Sequence, residues 1–383
     1  MSRLSWAAAA ALAFAPAAFA QSPFAGWQAG AALDLSWSSD ELALGSRDRG
    51  LALGHSDVTV SGPLGAHLQA QATAAIHTHE RKLEGEIEEA WVQTRSLPAG
   101  LQLRIGRFAS QVGYLNEHHP HADDFVQRPL LHRAFFGGHW NDDGVRLNWT
   151  APTDLYLRLG VEVFRGRRLV HDAAAARRPG AAVIAARLGG DVGDSHSWQA
   201  GLSYLRNRRE AAVEAHAGED DADHEHGHEE EAHHGAHGGH GAAFSGARMW
   251  LADLTWKWAP GGNNAGQQLR VAYEHAVVRG LNRYALGSDR HQAAWLSVVW
   301  RFAPAWEAGV RADVLRARQP HETHFDDARL GEAALMLAYK PTHAQTVRVQ
   351  LTGQRDRGGF DAAATALQLQ YILNFGTHAA HAF

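Results

Sequence analysis

The stretch HEHGHEEEAHHGAHGGH places seven histidines, His224, His226, His228, His233, His234, His237 and His240, among acids, glycines and alanines. Neutral imidazole suits Zn²⁺, Cu²⁺ or Ni²⁺, and a segment with neither cysteine nor methionine disfavours soft Cu⁺. The spacings match no structural zinc pattern, so the expectation is a multi-site, low-specificity metal collector. Its affinity should fall as pH drops through about 6.5, because protonated rings cannot ligate. The plain alternative is a solvated polar loop, kept unpacked by glycine and charge.

A second group, NEHHPHADDF, carries His118, His119, His121, Asp123 and Asp124, nitrogen and oxygen donors near enough in sequence to hold one divalent ion. The alternative role is hydrogen bonding that stiffens the segment. Smaller groups are His77 with His79, and His321 and His324 with Asp326. The cluster from His118 to Asp124 is also the only plausible acid/base site, and no serine elbow accompanies it, so an enzyme is not expected. No cofactor is required by any motif.

The chain that must position these groups has 383 residues, no cysteine and a formal net charge of −5. That balance argues against nucleic acid as a partner, and the lack of cysteine means no disulfide staples the fold. Residues 1–20, MSRLSWAAAAALAFAPAAFA, set Arg3 before a short apolar run ending in a small-x-small pattern, which reads as a signal peptide. No later run is long and apolar enough for a membrane helix, but a membrane barrel averages to a polar composition and stays open.

Period-two alternation dominates the rest. In ALQLQYILNF, Leu367, Leu369, Tyr371, Leu373 and Phe375 share one face and Gln368, Gln370 and Asn374 the other. The pattern predicts sixteen strands, near 27–38, 52–61, 66–78, 83–95, 101–109, 143–150, 155–164, 181–189, 197–206, 248–258, 267–278, 291–302, 305–316, 329–339, 345–354 and 364–375. Tight turns such as GPLG, LPAG, APTD and PTHA alternate with longer connections. Short turns on one rim, long loops on the other and an even strand number predict an all-β, transmembrane antiparallel β-barrel over residues 21–375, with short periplasmic turns and long extracellular loops. Trp149, Trp258, Phe302, Tyr339, Phe375, Tyr156, Trp198 and Trp306 fall at strand ends on the short-turn side, where an aromatic girdle belongs. Residues 376–383 read as a periplasmic tail.

The barrel assigns the histidine groups to places. Residues 207–247 become an extracellular loop. Residues 110–142 are too apolar for a free loop, with Tyr114, Leu115, Phe125, Leu130, Leu131, Phe135, Phe136 and Trp140, and are expected to fold inside and narrow the pore. Inward faces offer Arg104, Arg146, Arg158, Arg187, Lys257, Arg270, Arg311 and Arg348 against Glu84, Glu86, Glu88, Glu162, Asp253, Glu274, Glu307 and Asp313. Glu84, Glu86 and Glu88 form either a cation-attracting ladder or a wall neutralised by the arginines.

The stretches LGHSDVTVSG, EGEIEEAWVQT, LPAGLQLRIGRF, GYLNEHHPHADDF, DDGVRLNWTAPTDLYLRLGVEVFRG and GGDVGDSHSWQAGLSYLR resemble a family of Gram-negative outer-membrane porin-like proteins described as zinc-regulated or zinc-related, sometimes labelled TonB-dependent receptors. At the level of fold the chain also resembles phosphate-selective porins. The resemblance implies a barrel in the outer membrane of a Gram-negative bacterium and a connection to metal, with no defined catalytic set. A TonB-gated transporter adds a plug domain to about twenty-two strands, so passive passage is the expectation here. The expected partners are outer-membrane lipid and divalent metal ions, above all Zn²⁺ as the ion carried or sensed. A homotrimer is the assembly that pores of this size often take. Two alternatives stand beside a metal-favouring channel: a general or anion-selective porin with an incidental histidine loop, and a non-conducting surface metal binder.

Overall fold

The computed structural model describes residues 26–79, 81–95, 97–170, 173–211, 241–281, 285–321, 324–356, 358–360 and 364–376. The signal peptide, the seven histidines from His224 to His240 and the tail beyond Gly376 lie outside the described residues.

Among the described residues there are seventeen β segments: β1 (Gln28–Ser38), β2 (Gly50–Leu53), β3 (Ser56–Leu64), β4 (Leu68–His79), β5 (Lys82–Thr94), β6 (Leu101–Ala109), β7 (Asn141–Thr150), β8 (Tyr156–Phe164), β9 (Ala173–Val192), β10 (His196–Ala211), β11 (Arg248–Trp258), β12 (Gln268–Arg279), β13 (Arg290–Ala303), β14 (Trp306–His321), β15 (His324–Thr342), β16 (Gln345–Asp356) and β17 (Thr365–Gly376). One α-helix, α1 (Leu130–Phe136), lies between β6 and β7. The segments make sixteen strands, because β2 and β3 run end to end against β1, with Leu35 opposite Leu53 and Ala32 opposite Asp57. All neighbours are antiparallel, and β1 pairs with β17 from Gly30 opposite Gly376 to Ser38 opposite Gln368. The sheet is therefore a closed barrel. Closure leaves no strand edge, the condition for a sheet in hydrocarbon, where an unpaired amide costs several kcal/mol.

Alternation sorts the side chains as expected. Along β11, Trp250 and Leu254 face out while Met249, Leu251 and Asp253 are buried inside. Val310 and Val314 on β14 are 50% and 55% exposed, an apolar outer surface that only lipid can cover. Trp306 and Tyr339 touch with ring centroids 4.7 Å apart at the short-turn rim, and Trp300 and Phe302 follow at 5.8 Å. Turns on this rim are tight: Ala303 pairs with Trp306, and Leu64 with Leu68 around Gly65, whose φ of 63° is the left-handed conformation that glycine takes without steric cost.

Two expectations change. The long connection expected around His321 and His324 is mostly ladder, since β14 and β15 stay paired to His321 opposite His324. The ladder outcompetes a loop there because each added residue pair satisfies further main-chain groups. The last strand also runs one residue past Phe375, into the predicted tail.

The interior is not polar along its whole height. Toward the long-loop rim, Leu205, Leu251, Val278, Leu315 and Leu330 point inward and are buried against one another and against α1. A charged residue replacing an outward valine tests the lipid belt. Val310→Arg should lower stability by about 2–4 kcal/mol, read by denaturant titration of protein folded into liposomes, whereas an outward face turned to water would tolerate it.

Candidate functional site

After β6 the chain turns inward at Ser110 and crosses the lumen before rejoining the wall at β7. Wall side chains around the circumference hold it, mostly through its main-chain amides. Ser110 Oγ donates to Glu162 on β8 at 2.6 Å, and Gly113 N to Ser203 Oγ on β10 at 3.3 Å. Tyr114 N and Leu115 N donate to Glu274 on β12 at 2.6 and 3.1 Å. Leu130 N donates to Asp313 on β14 at 3.0 Å, and Val126 N to Gln350 on β16 at 2.8 Å. Arg133 on α1 pairs with Glu332 on β15, and His132 with Glu274. All seven residues of α1 are buried. Phe135, Phe136 and Trp140 pack with Phe108 and Phe164 as an apolar plug in the long-loop half of the lumen. Gly137, with φ 63°, ends the helix.

Below the plug the lumen is open and charged. One cavity of about 730 Å³ runs between Asp57, Gln71, His119, Asp124, Lys257 and Arg270. A second, of about 590 Å³, lies against Arg104, Arg158 and Arg187. The two meet at Tyr114, Glu117, His118 and His119 of the inner loop.

Most inward charges cancel locally. Glu117 lies 2.7, 2.9 and 3.5 Å from Arg158, Arg187 and Arg146. Burial opposes its charge, yet those arginines hold its carboxyl well below the ordinary carboxylate range. Glu307 gathers Arg270, Arg301 and Lys340 within 3.2 Å. On β5, Glu86 is matched by Arg168, while Glu84 lies 3.9 Å from His77.

The structure divides the donors of the inner loop. Asp123 pairs with Arg128 at 2.8 Å and Asp124 with Arg270 at 2.6 Å, so both carboxylates are held by guanidinium groups. His118 stacks edge-on against Tyr114 at 4.5 Å, and burial lowers its pKa to about 4, which leaves it neutral. A single centre built from all five donors does not form, because the nearby guanidinium groups claim both aspartates. His119 and His121 instead join a group from the wall. His55 Nε2 lies 3.2 Å from Glu88 Oε2 and 3.7 Å from Asp57 Oδ2, and His119 Nδ1 lies 3.3 and 3.7 Å from the same two oxygens. These four ligand atoms all lie within 4.8 Å of one another. His121 Nδ1 is 2.8 Å from Asp57 Oδ2, and His139 Nδ1 is 2.7 Å from Glu88 Oε1. Burial opposes charge on His119, but the hydrogen bonds and charges of Glu88 and Glu89 outweigh it and hold its pKa well above the imidazole range. At His139 burial prevails and lowers the pKa.

His55, Asp57, Glu89 and His139 were not singled out from sequence. A local irregularity brings each wall residue in. The ladder slips between Thr73 and Ala74 of β4, so that Glu88 and Glu89 both point inward and the alternation changes phase before Trp91. The break at Gly54 between β2 and β3 does the same for His55 and Asp57. A Cβ at Gly54 would stand 1.7 Å from Arg47 Nη1 and 2.3 Å from Asp34 Oδ2, so a larger residue there displaces that buried ion pair. Two adjacent acids in GEIEEAW, out of step with the flanking alternation, are the signal that was legible.

A closed sixteen-stranded antiparallel barrel with an apolar outer belt, an aromatic girdle at its short-turn rim and a long loop folded into the lumen is an outer-membrane β-barrel, and the outer membrane of a Gram-negative bacterium is its location. No family model matches the chain. A relative from Aquifex aeolicus (strain VF5), an uncharacterized protein, is 26% identical over 359 residues, covering 88% of this chain and 70% of its own length. Three solved structures share the fold at low identity. OprB of Pseudomonas putida has a TM-score of 0.58 at 12% identity and covers 91% of this chain and 94% of its own. The trimer form of OmpT, an outer membrane protein of Vibrio cholerae, has 0.53 at 10%, covering 91% and 98%. An anion-selective porin of Comamonas acidovorans has 0.52 at 10%, covering 92% and 99%.

Glu274 is the anchor of the inner loop. Glu274→Leu strands Tyr114 N and Leu115 N, each costing about 1–3 kcal/mol when buried without an acceptor. Amide exchange at residues 113–117 should quicken while the barrel strands keep their protection.

Proposed function

We propose that this chain is a porin-like channel through which small solutes cross the outer membrane, with a preference for divalent metal ions, zinc foremost. The observation that carries this reading is the inner loop. It is held by carboxylates from one side of the barrel to the other, and it brings His119 and His121 to a wall that supplies His55, Asp57 and Glu88. The segment then acts as the constriction, and passage runs beside imidazole and carboxylate groups suited to hard and borderline dications.

The loop with His224 to His240 is assigned the collection of metal outside the pore. Its descending root supports that placement: Ala242 N donates to Leu169 O, and Phe244 N to Ala134 O at the end of α1, each at 2.9 Å. Zn²⁺ is cargo in this reading, with Cu²⁺ and Ni²⁺ as competitors, and no cofactor or catalysis is assigned. A homotrimer is the assembly we propose, as in the OmpT trimer form.

A second reading has its own observation. Arg146, Arg158 and Arg187 gather on Glu117, and Arg104 lines the same cavity, so four guanidinium groups from β6 to β9 outnumber that carboxylate, which favours a general or anion-passing pore with an incidental histidine loop. A non-conducting surface metal binder is the third outcome, for which planar-bilayer recordings would show no current.

Deleting residues 224–240 should lower zinc accumulation in metal-starved cells while single-channel conductance stays unchanged. Unaltered accumulation removes the metal role. In liposome swelling, a metal-favouring channel should admit small sugars slowly, whereas a general pore passes them freely.

A further inference from the structure

We propose that His55, Asp57, Glu88 and His119 form a built, four-ligand binding site for a divalent transition metal, bridging the barrel wall to the inner loop. Zn²⁺ binds imidazole nitrogen and carboxylate oxygen at about 2.0–2.2 Å, which sets tetrahedral ligand-to-ligand edges of about 3.3–3.6 Å. The four histidine-to-carboxylate edges here are 3.2, 3.3, 3.7 and 3.7 Å. The other two edges lie within 4.8 Å, so an ion at the centre draws the ligands in by side-chain adjustment.

Three imidazoles crowd one buried carboxylate oxygen: Asp57 Oδ2 lies 2.8 Å from His121 Nδ1 and 3.7 Å from both His55 Nε2 and His119 Nδ1. Ring nitrogens converging on a buried carboxylate form the donor set that a dication takes up in place of their protons. The two carboxylates of the site balance a 2+ charge, with the metal taking the place of the proton on His119.

The surroundings supply an outer shell. His139 Nδ1 stands 2.7 Å from Glu88 Oε1, the oxygen not assigned to the metal, and orients that carboxylate. On the far side of the ring that ligates through Nδ1, His119 Nε2 faces Glu89 Oε2 at 3.6 Å, and Glu89 itself accepts from Gln71 Nε2 at 2.6 Å. A carboxylate behind a ligating histidine fixes its tautomer and raises its basicity. Three ligands come from strands β2–β3 and β5 and one from the inner loop. Occupancy therefore ties the constriction to the wall. The site deepens the channel reading, and only its role in transit rests on that reading.

Cobalt(II) is the probe, titrated into the full-length protein folded in detergent and read by the intense visible absorption of tetrahedral Co²⁺. The wild type and the variant lacking residues 224–240, which removes the surface loop's own ligands, should each bind one tetrahedral equivalent at the inner site that Zn²⁺ displaces. Asp57→Asn and Glu88→Gln should each abolish that equivalent, and His139→Ala should weaken it about 10–100-fold, the cost of losing an outer-shell partner. Heat-modified migration on gels verifies the barrel in each variant, and His55→Gln replaces any variant that does not fold. A wild type with only weak octahedral absorption, or folded variants that keep the full equivalent, overturns the site. Zinc flux into liposomes is followed on the same preparations. Flux absent with the cobalt equivalent intact ends the channel reading and leaves the site, and the converse result ends the site and leaves the channel.

Discussion

A main-chain amide has no partner in hydrocarbon, and the pairing of β1 with β17 is what keeps every strand of this sheet from presenting an open edge to lipid. Once the ring is shut, the side-chain period of two leaves each residue one of two destinations. Leu367 and Leu369 must meet acyl chains if Gln368 and Gln370 are to meet the lumen. The same rule explains why local departures matter. At Glu88 and Glu89, and again at Gly54, one extra residue re-aims the chain and puts neighbouring polar groups on the same side.

Inside the ring a different balance operates. Glu162, Glu274, Asp313 and Glu332 are almost wholly buried, a placement that is sustained only by full pairing. The inner loop supplies that pairing with main-chain amides and with His132 and Arg133, and the wall in turn supplies the loop with acceptors that a surface segment would find in water. Loop and wall are thus mutually required. The apolar plug follows from the same arrangement, because Phe135, Phe136 and Trp140 find inward-facing leucines only in the long-loop half. The hydrated cavities are left beneath it, between charges that mostly cancel in place.

Much of this was legible in the chain. Alternation and the sorting of short and long connections locate all sixteen strands, because lipid on one face and water on the other impose a strict period. The greasy inner loop was legible from Phe125 to Trp140, since such a run has nowhere to go but inward. The site was legible in part. His119 and His121 stood out as ligand types, but Asp123 and Asp124, their neighbours in sequence, are taken by Arg128 and Arg270. His55 and Asp57, more than sixty residues away, replace them.

The sequence by itself determined the closed ring, its two rims and the inward course of the loop, because each depends on the period and polarity of neighbouring residues along the chain. Only the tertiary structure decided which side chains converge. That choice rests on ladder slips of a single residue and on which arginine reaches which carboxylate across the lumen, distances that no spacing along the chain encodes.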